Sequence, residues 1–487
     1  MSALLLHEVR RRGRVVDVLL AGGRVVAVGD DLRAAATGLD PLGDVEVVEA
    51  GGAVLLPGLV DAHVHLTQWA AARRRVDVLA AASAAEVADV LAAAAGTGGD
   101  LLVGHGYRDA LWTRPAHRDV LDARFPDRPV LVVSADLHAA WVNSAAARRF
   151  GVDDPTGVLR EAPAMRLLTT AGDVGDAVLD RWVAEATAAA AARGVTGLVD
   201  LEYAPITAWA RRERPAVRVE AGVWTDWLEE AVEAGLRTGD LVPGAPGRVR
   251  VGPVKFVVDG SLGTRTAFCR EEYPSGGHGV LRLRPEELEP GLRRATSHGL
   301  AVAVHAIGDD AVRVALDAFE ATAATGSLEH AQQVHPQDLP RFARLGVVAS
   351  IQPRHAVDDR DAVERHWPTG AGRAYPYAAL LAAGAQLRLG SDAPVAPLDP
   401  WDAVASAVHR SVDERDPWRP DQHLPLDVAL AAACGGRRDV HVGDRADLVL
   451  VADDPARAFA NGGADALRRT EVLATVLGGE FTHRAGT

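Results

Sequence analysis

The chain has 487 residues, of which 48% are hydrophobic and 24% are charged, and its net charge is −14. This composition is typical of a globular protein, and the acidic balance disfavours nucleic acid as a partner because phosphate backbones would be repelled. The two cysteines, Cys269 and Cys434, provide neither a disulfide framework nor a thiolate metal cluster, which fits a reducing compartment.

Both ends of the chain read as groups of short strands. Near the start, VVDVLLAGG, RVVAVGDDL and VEVVEAGG alternate β-branched residues with Gly and Asp, and ADLVLVADDP and EVLATVLGGEF have the same character near the end. Each group is too small to bury a face alone, so we expect the two to join. The prediction is one small β-sandwich domain, formed by residues 1–55 and 436–487.

Between these ends, a short apolar run followed by an Ala/Leu/Glu/Arg-rich helical stretch occurs eight times. Eight strand-then-helix units predict an α/β fold, a (β/α)8 TIM barrel over residues 56–435, whose active site lies where the strands end. The eight runs end near His65, Tyr203, Thr225, Gly260, His305, His330, His355 and Asp392.

The stretch between the first and second runs interrupts this rhythm. More than a hundred residues separate the two runs, and they include strand-like segments such as LLVGHGYRD and PVLVVSADLH. A structureless loop of that length is uncommon in a compact domain. We therefore expect residues 66–180 to form an inserted subdomain on the catalytic face, acting as a lid or substrate wall. The sequence contains no run of about 18 apolar residues that would predict a membrane span. The first apolar run is too short for a signal peptide, so we expect a cytoplasmic protein.

Candidate metal ligands stand at the ends of several of these strands. His63 and His65 in DAHVH are two residues apart on an extended segment and face the same way. His305, His330 and Asp392 end later strands. Any one of them alone is more often a structural histidine or a helix-capping aspartate, but their convergence on one rim favours metal binding. Histidine and carboxylate ligands without thiolate suit Zn²⁺ or a similar ion.

Lys255 ends the fourth strand and is the single lysine among 52 basic residues, the other 51 being arginine. A lysine amine near cations can lose its proton and react with CO₂ to form a carbamate, an anionic ligand that bridges two metals. Arginine stays protonated and cannot do this. We therefore predict a carboxylated Lys255 in a centre of two divalent ions, although a lysine retained by chance is the simpler alternative.

A series of stretches follows in order along the chain: PGLVDAHVHL, GHGYRDALW, VVSADLHAAWVNSAA, TGVLREA, VKFVVDGSLGTRTA, VAVHAIGDDAV, LEHAQ, SIQPRH, LGSDAPV and ADLVLVADDP. Taken together, they resemble the amidohydrolase superfamily, and within it the branch that includes N-substituted formamide deformylase, amidohydrolase family 3. The resemblance implies that His63, His65 and Asp392 bind the more buried metal. It also implies that His305 and His330 bind the other and that carboxylated Lys255 bridges both. The segment GGRRDVHVGDRADL departs from the family pattern, being shorter and having Arg445 where lysine is frequent.

The expected reaction is hydrolysis of a small molecule at a non-peptide C–N bond, in an amide, an N-substituted formamide or a cyclic amide. A metal-bridging hydroxide would attack the carbonyl, and Asp392 would carry its proton to the leaving nitrogen. A homodimer is the default assembly at this size. Two alternatives remain: a mononuclear deaminase of a heterocyclic ring, which needs a glutamate soon after the fifth strand, and a non-catalytic metal-dependent binding protein. Glu320 follows that strand by about four helical turns.

Four residues are predicted to contact the substrate: His138, Trp141, Arg265 and His355. His138 and Trp141 lie in the insertion, Arg265 follows the fourth strand, and His355 follows the seventh. Each has a simpler alternative, because tryptophans are more often in cores, an arginine often pairs on the surface, and a histidine is often structural. Trp224 and Trp227, near the third strand end, suggest an apolar or aromatic substrate.

Overall fold

The computed structural model describes residues 3–33, 45–94, 100–109, 112–171 and 174–486. Parts of the predicted terminal domain and insertion therefore lie outside the described residues. Strands are numbered β1 to β21 and helices α1 to α16 along the described chain. Among these residues, no helix combines the length and apolar character that crossing a bilayer requires.

Eight parallel strands form the predicted barrel. They lie side by side in chain order, and a parallel bridge between Val64 and Ala393 joins the first strand to the segment after the eighth. The strands are apolar over most of their length, as expected when both faces are covered. They are β6 (Leu59–Val64), β12 (Val195–Asp200), β13 (Arg218–Trp224), β14 (Val249–Val257), β15 (Val302–Ala306), β16 (Gly326–His330), β17 (Val348–Ile351) and β18 (Leu387–Leu389).

Helices connect these strands and cover the outside of the barrel. They pack through residues such as Phe319, Phe342 and Trp401, which belong to the same buried cluster as the strand side chains. They are α6 (Asp176–Ala191), α7 (Leu228–Glu233), α8 (Pro285–Ser297), α9 (Asp309–Thr322), α10 (Leu339–Leu345), α11 (Pro353–Asp358), α12 (Arg360–His366), α13 (Tyr377–Ala382), α14 (Pro400–His409) and α15 (Leu426–Ala433). Short 3₁₀ turns occupy Ile206–Arg211, Thr225–Trp227, Ala371–Arg373 and Pro420–Gln422.

Strands from both ends of the chain join in one sheet, which confirms the predicted partnership of the termini. The C-terminal β19 lies antiparallel to β5, and this pairing connects the two groups. The strands are β1 (Ala3–Arg11), β2 (Arg14–Ala21), β3 (Arg24–Gly29), β4 (Val45–Glu49), β5 (Val54–Pro57), β19 (Leu448–Val451), β20 (Val472–Leu477) and β21 (Glu480–Arg484). Helix α16 (Pro455–Arg468) lies between β19 and β20 and kinks at Gly463. The domain boundaries at 55/56 and 435/436 stay predictions.

The insertion after the first barrel strand forms a separate five-stranded sheet with its own buried clusters. Its strands are β7 (Val76–Asp77), β8 (Leu102–Tyr107), β9 (Val130–Ser134), β10 (Ala139–Val142) and β11 (Val158–Arg160). Its helices are α1 (Leu66–Ala72), α2 (Ala84–Ala93), α3 (Arg118–Asp122), α4 (Ser144–Phe150) and α5 (Ala162–Ala171). Helix α2 begins where Ser83 accepts a hydrogen bond from the Glu86 backbone, a common N-cap.

Candidate metal centre and substrate cavity

The strand register brings the predicted ligands to one end of the barrel. In the parallel pairing of β14, β15 and β16, Val257 lies opposite His305, and His305 lies opposite Glu329. His63 is in β6, and His65 is the first residue after that strand's end, at the N-cap of α1. Asp392 follows β18, and its backbone N–H donates to the His63 carbonyl at 2.7 Å. The six predicted metal-site residues therefore converge on one floor.

Hydrogen bonds at the rear of three histidines determine which ring nitrogen faces the centre. His63 Nδ1 donates to Glu329 Oε2 at 2.6 Å, and His330 Nδ1 donates to Gln352 Oε1 at 2.9 Å. His305 Nε2 donates to the Gly260 carbonyl at 3.2 Å. Each ring keeps one nitrogen as a lone-pair donor, which is how metal-binding histidines are usually held.

Burial keeps these imidazoles neutral. The pKa of His63 and that of His305 lie well below the usual value, because burial and neighbouring positive charge disfavour the cation. Burial likewise lowers the pKa of His330, to about 3. Burial alone would raise the pKa of Asp392, but the adjacent His63, His65 and His330 outweigh it and hold that pKa well below its usual range. At neutral pH the floor thus presents nitrogen lone pairs around one carboxylate.

Lys255 lies within this ring of histidines. Its side chain is buried, and its Nζ is 3.3 Å from His63 Nε2. Burial lowers its pKa, although the carboxylates of Glu329 and Asp392 partly offset that effect. A lowered pKa favours the neutral amine, which is the form that reacts with CO₂.

Two groups of side chains have the geometry of metal sites. One consists of His63, His65 and Asp392, and the other of His330, His355 and Asp392; within each group the candidate ligand atoms lie within 4.8 Å of one another. Buried nitrogens of His65 (Nδ1) and His355 (Nε2) have no hydrogen-bond partner among the residues that the structure describes. This donor set of imidazole and carboxylate therefore fits a first-row divalent cation.

Backbone strain is concentrated at two of these residues. His330 has φ 74° and Asp392 has φ 58°, both in the left-handed region that non-glycine residues rarely adopt. Such conformations cost roughly 1–3 kcal/mol each and are usually retained at functional sites. Both directly place a candidate ligand, so the strain belongs to the construction of the floor.

A cavity of about 950 Å³ lies over this floor and extends to the insertion. That volume is suited to a small molecule rather than to a polymer. The six predicted metal-site residues line one end, and much of the wall is apolar. The apolar lining includes Leu137, Leu168, Leu179, Trp224, Ile307 and Val395.

Two of the four predicted substrate contacts line this cavity. His138 is held by Glu161, whose Oε2 accepts from its Nδ1 at 2.9 Å. Burial opposes the charged form of His138, but Glu161 and Asp136 outweigh it and raise its pKa. His355 also lines the cavity, with Nε2 3.8 Å from Asp392 Oδ2. The seventh strand ends earlier than predicted, at Ile351, and His355 lies in α11.

The structure does not bring the other two to the cavity. Trp141 is fully buried in the insertion's own core. Its ring centroid lies 6.0 Å from that of Tyr107 and 6.5 Å from that of Trp112. Arg265 has φ 59° in a tight turn, which leaves its side chain exposed and outside the cavity lining. Arg282 lines the cavity instead and pairs with Glu161.

Of the two tryptophans near the end of the third strand, Trp224 and Trp227, one lines the cavity and the other does not. Trp224 lines the cavity and donates from Nε1 to the Leu201 carbonyl at 3.0 Å. Trp227 stands outside the lining and packs against Tyr203, with ring centroids 5.1 Å apart. One aromatic face therefore borders the cavity from this strand.

A profile of the amidohydrolase family matches residues 46–483, most of the chain. The chain belongs to the amidohydrolase family. It is 29% identical to the protein Long After Far-Red 3 of Arabidopsis thaliana over 95% of this chain and 87% of the relative. It is 27% identical to N-substituted formamide deformylase of Arthrobacter pascens, over 95% and 94% of the two chains. A solved structure of an uncharacterized metal-dependent hydrolase from Pyrococcus horikoshii OT3 superposes with TM-score 0.77 at 26% identity, covering 93% of this chain and 98% of that one.

Sequence reasoning missed several residues at the floor of this amidohydrolase. Glu329 precedes His330, so strand alternation predicts that the two point to opposite faces. Both reach the floor because the left-handed conformation of His330 breaks that alternation. Gln332 and Gln352 were also missed, since glutamine carries no charge signal. The adjacent acid in LEHAQ is the one sign that would have identified Glu329.

Proposed function

We propose that this amidohydrolase is a metal-dependent hydrolase that cleaves a non-peptide C–N bond in a small molecule. The bond would belong to an amide, an N-substituted formamide or a cyclic amide. The observation that carries the proposal is the convergence of four histidines, Lys255 and Asp392 on the cavity floor, with nitrogen lone pairs directed inward. The similarity to N-substituted formamide deformylase supports an acyl group on nitrogen as the target.

In this proposal the floor would hold two divalent ions, expected to be Zn²⁺. His63, His65 and Asp392 would hold one, and His305 and His330 would hold the other. His305 is assigned to the second ion because Nδ1 stays available while Nε2 donates to Gly260, and its ring lies 4.5 Å from that of His330. His355 is assigned to the substrate because it projects from α11 rather than from a strand end. When bound, the ions polarise the substrate carbonyl and acidify water.

As a carbamate, Lys255 would add an anionic oxygen ligand to the metal centre. The neutral Nζ forms a bond to the carbon of CO₂, one proton leaves to solvent, and the product carries one negative charge on its oxygens. Burial favours this reaction because it lowers the pKa of the amine. The resulting anion also relieves the crowding of positive charge that two cations and a protonated lysine would create.

Asp392 is the proposed proton shuttle. Its Oδ1 lies 3.2 Å from His65 Nε2, and this hydrogen bond favours the ionised carboxylate. A carboxylate at this position accepts a proton from the attacking water and delivers it to the leaving nitrogen. The bond that breaks is then carbonyl C–N, and the products are a carboxylic acid and an amine.

The test combines metal analysis with a substrate panel. Purified protein loaded with zinc and bicarbonate should contain two ions per chain and hydrolyse N-formyl amines, N-acyl amines or cyclic amides. Lys255→Arg should bind no more than one ion and lose at least 100-fold in kcat/KM. The control is His117→Gln, at a partly exposed residue that caps α3 and lies outside the cavity lining, which should retain both ions and full activity.

Two outcomes would contradict the proposal. One ion per chain, with ring-amine release surviving Lys255→Arg, would indicate the deaminase. A fully loaded protein inert across the panel would indicate a binding protein. The geometry does not favour the deaminase, because Glu320 lies half-exposed on α9 and pairs with Arg341 and Arg344.

A further inference from the structure

Three consecutive arginines, Arg73, Arg74 and Arg75, follow the first helix of the insertion, and they differ in their surroundings. Arg73 lies over the Trp69 ring, 5.1 Å from its centroid. Arg74 pairs with Glu185 on the surface. Arg75 turns into the cavity lining, where it is only partly exposed, and its guanidinium makes no hydrogen bond or ion pair within the described ranges.

An unpaired guanidinium is unusual in this cavity. Most of the other lining arginines have a carboxylate partner, which offsets the cost of removing charge from water. Arg166 is the further exception, but its side chain is exposed and water can solvate it. The paired ones are Arg108 with Asp358 at 2.8 Å, Arg160 with Asp109 at 2.5 Å, Arg211 with Asp176 at 2.9 Å, Arg212 with Asp180 at 2.9 Å, and Arg282 with Glu161.

The carboxylate whose charge acts on Arg75 is already occupied. Glu202 accepts hydrogen bonds from the Gln68 backbone N–H at 2.9 Å and from Gln68 Nε2 at 3.2 Å. It makes no ion pair with Arg75 in the described structure, although its charge opposes the loss of the Arg75 proton. Burial lowers the pKa of Arg75 to about 10, so the guanidinium still carries its charge at neutral pH.

We propose that Arg75 binds a carboxylate of the substrate, so that the preferred substrates are N-formyl or N-acyl amino acids rather than neutral amides. This inference rests on the proposed function. A planar guanidinium pairs with a carboxylate through two parallel hydrogen bonds. A singly charged group suits the position better than a phosphate, because Glu202 already contributes negative charge nearby. The apolar wall then accommodates the amino acid side chain.

The first arm of the test uses two substrates that differ only in the carboxylate: N-formyl-phenylalanine and N-formyl-2-phenylethylamine. Wild-type kcat/KM should favour the carboxylated compound by at least tenfold. Arg75→Gln should remove that preference by lowering kcat/KM for N-formyl-phenylalanine 10- to 100-fold while the neutral substrate changes less than threefold. Arg75→Lys should keep part of the preference. The matched control, Arg74→Gln, should retain it in full, because Arg74 lies outside the cavity lining.

The second arm measures binding without turnover. Metal-loaded Asp392→Asn is titrated calorimetrically with the same two compounds, with and without Arg75→Gln. Tighter binding of N-formyl-phenylalanine, at least tenfold and dependent on Arg75, supports the inference even if wild-type protein hydrolyses neither compound and the proposed function falls. Hydrolysis of both compounds with no preference, or binding that is equal for both, overturns the inference while leaving the hydrolase proposal intact. Circular dichroism would detect a loss of folding in Arg75→Gln. In that case Arg75→Lys decides: a reduced preference for N-formyl-phenylalanine supports the inference, and an unchanged preference overturns it.

Discussion

The two ends of the cavity are built on different electrostatic principles. The floor consists of buried histidines held neutral, a lysine with a lowered pKa and one ionised aspartate. The insertion wall is largely apolar and carries its charges mainly as arginine–carboxylate pairs, such as Arg160 with Asp109 and Arg282 with Glu161. The floor leaves lone pairs without partners, whereas the wall neutralises most of its charges internally.

This difference separates two tasks. Buried nitrogen lone pairs without partners cost free energy, and a bound cation would remove that cost. A wall of satisfied ion pairs needs no ligand and keeps its shape when the cavity is empty. Exceptions on the wall, above all Arg75, are therefore the positions where a substrate supplies the missing partner. The following predictions test this division.

The largest effect is expected at the floor. Asp392→Asn should lower kcat at least 1,000-fold, because the amide cannot accept the proton that the carboxylate transfers. Elemental analysis should still find at least one ion per chain, held by the histidines. A variant that keeps more than a tenth of wild-type kcat would refute the role of Asp392 as shuttle.

A smaller effect is expected behind the floor. Glu329→Gln should weaken metal affinity by about 10- to 100-fold, because the carboxylate that accepts from His63 Nδ1 is lost. Competition with a zinc chelator measures this change. Ser297→Ala, on the exposed end of α8, is the control. Unchanged affinity in Glu329→Gln would mean that His63 is oriented by other contacts.

In the insertion, Trp141 tests whether a buried aromatic residue acts through stability alone. Trp141→Phe should destabilise the fold by roughly 1–2 kcal/mol, since the smaller ring leaves part of the packed volume empty. KM should change less than twofold because Trp141 does not line the cavity. Thermal unfolding and steady-state kinetics on the same preparation would reveal a direct substrate contact as a KM increase without loss of stability.

The smallest effect concerns the ion pair that joins the insertion to the barrel. His138 and Arg282 outweigh burial and lower the pKa of Glu161 from 4.5 to about 2, so its contribution is complete above pH 4.5 and is lost as the pH falls toward 2. Glu161→Gln should cost roughly 1 kcal/mol near pH 6, because solvent screens the pair and reduces the cost that the pKa shift alone would imply. Its deficit in thermal stability relative to wild type should narrow from pH 6 to pH 3.5. A deficit independent of pH would point to lost packing instead.

The floor could be predicted from the sequence because a closed parallel barrel aligns its strand ends. Once His305 and His330 are assigned to the ends of successive strands, register alone brings them together. The wall could not be predicted in the same way. His138 immediately precedes β10 and Trp141 lies within it, yet Trp141 is in the core of the insertion and His138 borders the cavity. That outcome depends on how the insertion sheet packs, which local patterns do not encode.

Arg265 and Arg282 make the same point. Arg265 is close in sequence to Lys255, but a left-handed turn directs it to the surface. Arg282, much later in the chain, reaches the cavity through its contact with Glu161 of the insertion. Proximity to Lys255 along the chain therefore did not indicate which arginine lines the cavity. Both arginines lie in loops, where the local backbone conformation sets the direction of the side chain.

The concentration of lysine at one buried position also makes the protein convenient to probe chemically. Amine-reactive esters find no ε-amino group on the surface, because the single lysine side chain is Lys255 and only 2% of it is exposed. Any acylation mapped to Lys255 by mass spectrometry therefore reports that the reagent has entered the cavity and that the Lys255 nitrogen is unmodified. The rate of that labelling, with and without bicarbonate, would follow both events in one experiment.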